Sequence, residues 1–271
     1  MKKKFFPYEY IIIVILCLLQ LVPLYITLMV SLKPMTEMTS YWRPPVTPFF
    51  ENYKVAWQAG NMARAYLNTF IITICSTALV LLLAMMAAYP LARYPTRYNQ
   101  AIRTFFLSIM MIPALSLLVP IYVLLLRLGW ISQYHGIVPI HVAFRLPLAI
   151  FVFSKFIKTI PPELDEAALI DGCSVYSIFY RIIIPLLKPV IISVIILTAV
   201  PVWNDFQYSL YFLHRPNMRV ITLAVGSFFH RSGSQPNVAA AAALIGVVPL
   251  VVMYLFLQKH FVKGMVDGAI K

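Results

Sequence analysis

The sequence predicts an all-α, polytopic membrane protein of about six spanning helices with both termini in the cytoplasm, and three observations predict it. Of 271 residues, 61% are hydrophobic and 11% charged, with a mean hydropathy of +0.84; such a chain lacks the polar surface that would cover a water-soluble globule. Six apolar runs are each long enough to cross a bilayer. The Lys and Arg residues lie in short clusters between these runs, so the net charge of +13 reads as membrane topology and no nucleic-acid partner is expected. Residues 1–271 are read as one transmembrane domain.

The first run, about 10–32, follows the basic cluster Lys2 to Lys4. It exceeds the apolar region of a signal peptide and no small-residue cleavage site follows, so it is expected to stay as a spanning helix. The others cover about 67–91, 104–126, 136–157, 186–213 and 238–258. Between the first two lies a Pro-rich segment containing RPPVTPFF, read as a surface segment too short for a domain. Five runs carry prolines well inside them (Pro23; Pro113 and Pro120; Pro139 and Pro147; Pro201; Pro249), while Pro90 stands at the end of the second. In lipid such breaks survive where neighbouring helices or a water-filled path satisfy the freed carbonyls. Simple kinking for packing explains any one of them; together they favour a bundle bent around a pathway.

Placing the N-terminus inside puts thirteen of the 22 Lys and Arg residues on the cytoplasmic side, among them Arg93, Arg97, Arg103, Lys155, Lys158, Arg181 and Lys188. The stretch from Pro161 to Pro189 then faces the cytoplasm. It interrupts the apolar chain with four acids, a glycine and bounding prolines. Pro161 and Pro162 suit a first helical turn, and Glu163, Asp165 and Glu166 sit where the helix dipole favours acids. A helix over about 163–170 follows. Gly172 can take a backbone angle closed to other residues, Ser174 can cap a second helix from Val175 to about Ile183, and Pro185 is expected to end it.

That residue order resembles the EAA motif of the membrane subunits of bacterial ABC importers: EAA, three residues, G, nine residues, then I-x-L-P. It falls here on Glu166, Ala167, Ala168, Gly172, Ile182 and Pro185, with Ile184 in place of the family's Leu. The resemblance implies that 161–185, including Glu163, Asp165 and Asp171, is a coupling loop that docks into a cytoplasmic ATPase, with Glu166 offering an acceptor. Further on, Trp203, Asn204, Asp205 and Phe206 resemble the W-N-[DE]-F of the carbohydrate-uptake branch, the group of the maltose transporter's smaller membrane subunit. The chain's end, with Phe261, Gly264, Gly268, Ala269 and Lys271, and the segment from Asn68 are similar to that branch as well.

Read by themselves, Asn204 and Asp205 in a spanning helix are expensive in lipid and turn to a neighbouring helix or to an aqueous cavity. Either they tie the fifth helix to its neighbour, or, with Trp203 and Phe206 offering flat faces, they meet a sugar. Arg145, inside the fourth run, poses the same choice. Counted from the cytoplasmic ends of their runs, Arg145 and Asp205 reach comparable depths, roughly 20 and 24 Å at 1.5 Å per residue. Pairing between them is preferred; exposure of Arg145 to the pathway is the alternative. The extracytoplasmic stretch with Phe228, Phe229, His230, Arg231, Ser232 and Gln235 matches the place where the family reaches toward its binding protein, though a loop without a partner would look alike.

The resemblance implies a permease subunit of an importer in the bacterial cytoplasmic membrane, moving a carbohydrate, in particular an oligosaccharide. Its partners would be a second related permease, two ATPase subunits that hold ATP and Mg, and an extracytoplasmic solute-binding protein. The chain itself carries no G-x-x-x-x-G-K-[ST] phosphate loop, no converging catalytic groups and no metal-ligand spacing among His135, His141, His214, His230 and His260, so it is expected to be neither enzyme nor metalloprotein. Cys17, Cys75 and Cys173 form no disulfide framework. The rival from another class, a self-sufficient ion-coupled transporter, would need acidic or histidine relays in several helices; Asp205 is the one acid inside a run.

Overall fold

The computed structural model describes residues 7–38, 40–230 and 235–269, which form helices and connecting turns without a strand. The helices are α1 (Pro7–Ser31), α2 (Glu51–Ala59), α3 (Met62–Arg93), α4 (Arg97–Ile109), α5 (Leu118–Leu128), α6 (Tyr134–Ile157), α7 (Glu163–Ile170), α8 (Val175–Leu186, with a π-helical turn at Phe179–Ile183), α9 (Lys188–Trp203), α10 (Gln207–Phe212), α11 (Ile221–His230) and α12 (Pro236–Ala269). Four of them, α1, α3, α6 and α12, are long and apolar enough to cross a membrane alone. Two bent pairs bring the number to six if each is one span: α4 with Ala114–Leu128, bent by 92°, and α8 with α9, bent by 75°.

The third and fifth apolar runs are therefore not single straight helices. Pro113 breaks the third: it has no N–H to continue α4, it takes an extended conformation (φ −60°, ψ 120°), and it holds the preceding residue away from helical angles. The fifth run stops at Trp203 and restarts at Gln207. Pro185 does not end α8, whose last turn continues through it; the chain bends at Leu187, and α9 opens with Pro189 in its first turn. The second and sixth runs extend beyond their expected limits, and the expected surface segment after α1 contains α2 and the start of α3.

The chain forms two compact units. One comprises Met1–Tyr66 and Ile221–Val248. Its core joins Ala56, Met62, Ala65, Ala224 and Phe228 to the small residues Ala239, Ala241 and Ala242 of α12, whose short side chains let helices approach closely. Asn52 organises its polar side: its Nδ2 donates to the carbonyls of Ser31 and Lys33, both at 2.8 Å, and its Oδ1 accepts from Asn237 Nδ2 at 2.9 Å. Both asparagines are buried. The carbonyls at and past the end of α1 thus find donors inside the protein, as a buried chain end requires.

The second unit comprises Leu67–Val220 and Pro249–Lys271. Here α6 packs against α4, α9 and α10, burying Ile137, Ile150, Phe153 and Ile157. Gly136 opens α6 against the Trp130 carbonyl, 2.2 Å from where a Cβ would stand, so only glycine fits. Asn68 of α3 donates to the carbonyls of Asn217 (2.9 Å) and Arg219 (2.7 Å) and accepts from Tyr134 at 2.6 Å, tying three segments through one amide.

Candidate functional site

Between α7 and α8 the turn forms as its residues dictate. Gly172 adopts φ +80°. The amides of Gly172 and Cys173 bond back to the carbonyls of Leu169 (3.0 Å) and Ala168 (2.9 Å), which is the Schellman arrangement that ends a helix on a left-handed glycine. Ser174 Oγ then accepts from the Ser177 amide at 3.3 Å and caps α8. Glu163, Asp165 and Glu166 occupy the first turn of α7. One backbone angle and one cap therefore hold two helix ends in a fixed relation.

The faces of this element differ. Inward, Asp165 is buried and gripped from α3: Arg93 Nε donates to its Oδ2 at 2.9 Å, Arg93 Nη2 to its Oδ1 at 3.3 Å, and Tyr89 OH to Oδ2 at 3.0 Å. Arg93 Nη1 also donates to the Ile160 carbonyl at 2.8 Å, just before α7. This two-pronged pair uses the fork of the guanidinium to fix orientation as well as distance. Ile178, Phe179 and Ile183 of α8 are buried beside it, and Phe179 meets the Tyr89 ring at 5.5 Å. Outward stand Glu163, Glu166, Ala167, Asp171, Gly172 and Pro185, with Ile182 half-buried. Leu169, Ile170 and Tyr176 are exposed among them, Ile170 by 86% and Tyr176 by 79%. The exposed side of this rigid turn is therefore both apolar and acidic.

Asp165 thus belongs to the frame and not to the exposed side, because its carboxylate is consumed by Arg93 and Tyr89. Those two residues lie 72 and 76 positions away in sequence, so no local spacing announces them. Arg93 was legible only as a topology-setting charge.

The residues from 203 to 206 separate in the same way. Trp203 is buried and meets Phe70 edge-on at 4.8 Å, bordering an apolar cavity of about 350 Å³ with Thr73, Thr77 and Met253. Asn204 Nδ2 bonds the Val200 carbonyl at the end of α9 (3.1 Å). Phe206 is exposed. Asp205 starts α10, accepting from the amides of Tyr208 (3.1 Å) and Ser209 (2.8 Å) and from Ser209 Oγ (2.7 Å). His141 Nε2 lies 3.8 Å from its carboxylate. Satisfying the start of α10 engages both carboxylate oxygens. Arg145 borders a separate cavity with Phe144 and Tyr208.

At α11 the expected binding-protein contacts divide. Phe228 is a core residue of its unit, 2% exposed, and is withdrawn from any partner. Phe229 and Gln235 are exposed, and His230 is the last residue of α11. Arg231 and Ser232 lie outside the described residues.

Comparison with known proteins accounts for this architecture. Residues 80–267 match the family "Binding-protein-dependent transport system inner membrane component". The chain is 39% identical over 251 residues to the melibiose/raffinose/stachyose import permease protein MelC of Bacillus subtilis, covering 92% of this chain and 91% of that one. It is 32% identical to AmyC of Thermoanaerobacterium thermosulfurigenes, described as a probable starch degradation products transport system permease (95% and 94% covered). The fold is shared with a chain of a bacterial ABC transporter that imports the acidic polysaccharide alginate, at a TM-score of 0.80 and 20% identity over 94% of this chain and 95% of that chain. With a family match over more than half its length and relatives that it covers almost entirely, the chain belongs to the inner membrane components of binding-protein-dependent transport systems.

Proposed function

We propose that this protein is a permease subunit of a carbohydrate ABC importer in the bacterial cytoplasmic membrane, with an oligosaccharide as its cargo and the α7–α8 turn as its seat for a cytoplasmic ATPase. The observation that carries this reading is the turn itself, braced from beneath by Arg93 and presenting Leu169, Ile170 and Tyr176 outward. A surface loop without a partner has no use for that stiffness. The named sugars of the relatives, melibiose, raffinose and stachyose for MelC, support the cargo class.

In this reading the chain hydrolyses nothing. ATP and Mg²⁺ belong to two ATPase subunits, a second related permease completes the pathway, and a solute-binding protein delivers the sugar from outside. When the ATPases close, the seated turn moves with them. Asp165 grips Arg93 at the end of α3, so the displacement passes into a long spanning helix and is not absorbed by a loose loop. The helices then shift between outward-open and inward-open arrangements, a population shift biased from the cytoplasm.

The test is co-expression of this chain with a related permease, ATPase and solute-binding protein from the same organism, followed by purification on a tag carried by this chain and uptake assays in proteoliposomes. ATPase in stoichiometric amount and ATP-dependent uptake of melibiose, raffinose, stachyose or an arabino-oligosaccharide are the expected results. Uptake driven by an ion gradient without ATPase would establish the secondary transporter instead.

A further inference from the structure

One broken helix and the start of another meet at one cavity. The 92° break between α4 and α5 borders a space of about 240 Å³ whose wall includes Met110, Ile112, Phe144, Arg145, Leu148 and, from the first turn of α10, Tyr208. At this break, Met111 is 84% exposed and Ile112 45%. Irregular backbone at membrane depth is tolerated inside protein or against water, not against hydrocarbon, so this face requires an aqueous cavity or a protein cover. Discontinuous helices that meet near the middle of a transporter are also a recurrent way of building a solute site.

The chemistry of the wall points to one class of solute. Among the described residues that line it, Arg145 is the one charged side chain, and its buried Nε has no hydrogen-bond partner. Asp205 spends its carboxylate oxygens on the amides of Tyr208 and Ser209 and on Ser209 Oγ at the start of α10. Beside the arginine, Phe144 and Tyr208 lie nearly parallel, 5.2 Å apart with 19° between their planes, and Tyr208 is held in turn against Phe212 at 6.3 Å and 8°. Rigid aromatic surface next to a donor with spare N–H groups suits a pyranose, which offers a C–H face and a fringe of oxygen acceptors. The volume is below the roughly 300–1,000 Å³ of sites for larger ligands and matches a single ring.

We propose that this cavity is a saccharide subsite on the translocation pathway, where Arg145 donates to the oxygens of one sugar ring while Phe144, backed by the buried Tyr208, borders its apolar face. The inference rests on the carbohydrate reading above and adds the place and the residues.

In the complete complex, with Cys17, Cys75 and Cys173 changed to Ser, Ile112→Cys supplies a reporter on the wall. The rate of its modification by a charged, membrane-impermeant thiosulfonate is measured with and without melibiose, raffinose, stachyose and an arabino-oligosaccharide, beside uptake of the same four sugars. The reporter is expected to react, a sugar that is taken up to slow the reaction about fivefold, and Arg145→Gln to remove that protection while Arg145→Lys restores part of it. Should Arg145→Gln prevent assembly, Phe144→Leu provides the second variant, with protection again expected to fall. An unreactive reporter means that the face is covered by protein or lipid, and it overturns the subsite. So does a reactive reporter that a transported sugar fails to protect. If none of the four sugars is taken up, the carbohydrate reading itself fails and the subsite goes with it.

Discussion

Asp165 and Arg93 show how much rests on one buried pair. Both side chains are about nine-tenths buried, and the arginine spends three N–H groups on the carboxylate and on the Ile160 carbonyl. Removing one partner strands the other charge at a cost of about 3–5 kcal/mol, whereas removing both is far milder. Asp165→Ala is therefore expected to lower thermal stability and uncouple ATP hydrolysis from uptake, and Arg93→Ala/Asp165→Ala to recover part of the loss, as a double-mutant cycle on melting temperature and uptake would measure. Equal losses in the double and the worse single variant would remove the brace from the mechanism. At Gly172 the penalty is conformational: a Cβ there meets nothing within 4 Å, but φ +80° costs an L-residue about 1–3 kcal/mol. Gly172→Ala should weaken ATPase recovery in pull-downs severalfold, and Gly172→Asn, which tolerates this angle better, should weaken it less.

The docking element as a whole joins a stiff turn to a mixed apolar and acidic face. Charge reversal on that face, Glu166→Lys, is expected to leave the permease inserted and folded while ATPase subunits are lost on purification and uptake falls at least tenfold. Ile170→Ser should act similarly by removing an exposed apolar anchor without touching the brace. Unchanged ATPase recovery in both variants would move the seat elsewhere. In the unit that contains α2 and α11, Asn52 donates to the carbonyls of Ser31, the last residue of α1, and of Lys33, so Asn52→Leu strands the Ser31 acceptor while Lys33 keeps Asn237 Nδ2 at 3.4 Å. A loss of about 1–3 kcal/mol for that acceptor follows, visible as a lower melting temperature.

For the whole molecule, the distribution of Lys and Arg predicts the α7–α8 turn on the same side as the N-terminus and the segment between α1 and α2 on the opposite side. Single cysteines at Thr47 and Glu163, both exposed positions, should therefore react with impermeant reagents from opposite faces of membrane vesicles, Glu163→Cys from the cytoplasmic face. Labelling of both from one face would contradict this topology and with it the docking of a cytoplasmic ATPase. Among the described residues, four helices and two bent pairs give six spans if each pair crosses once, and the two bends then lie within the membrane-spanning part. Those bends are where a transporter differs from a simple anchor.

Sequence alone determined the class and the α7–α8 turn, because each depends on local pattern. Apolar runs of spanning length, glycine at the one left-handed position, serine at the cap and acids in the first turn act within a few residues of one another, and the EAA spacing lies wholly within that element. Tertiary structure decided which side chains face the partner and which hold the frame. Asp165 and Glu166 are adjacent acids in the same helical turn, yet one is taken by Arg93 from the end of α3 and the other left outside. Phe228 and Phe229 divide likewise into core and surface, and the Asp205 carboxylate caps the start of α10, a role that depth counting does not predict. Depth along two helices fixes only one coordinate of a side chain; its azimuth follows from packing, and the Pro113 and Asn204–Phe206 breaks reset it partway along the run. The meeting of Phe144, Arg145 and Tyr208 at those breaks is a product of that packing, and no periodicity in the chain encodes it.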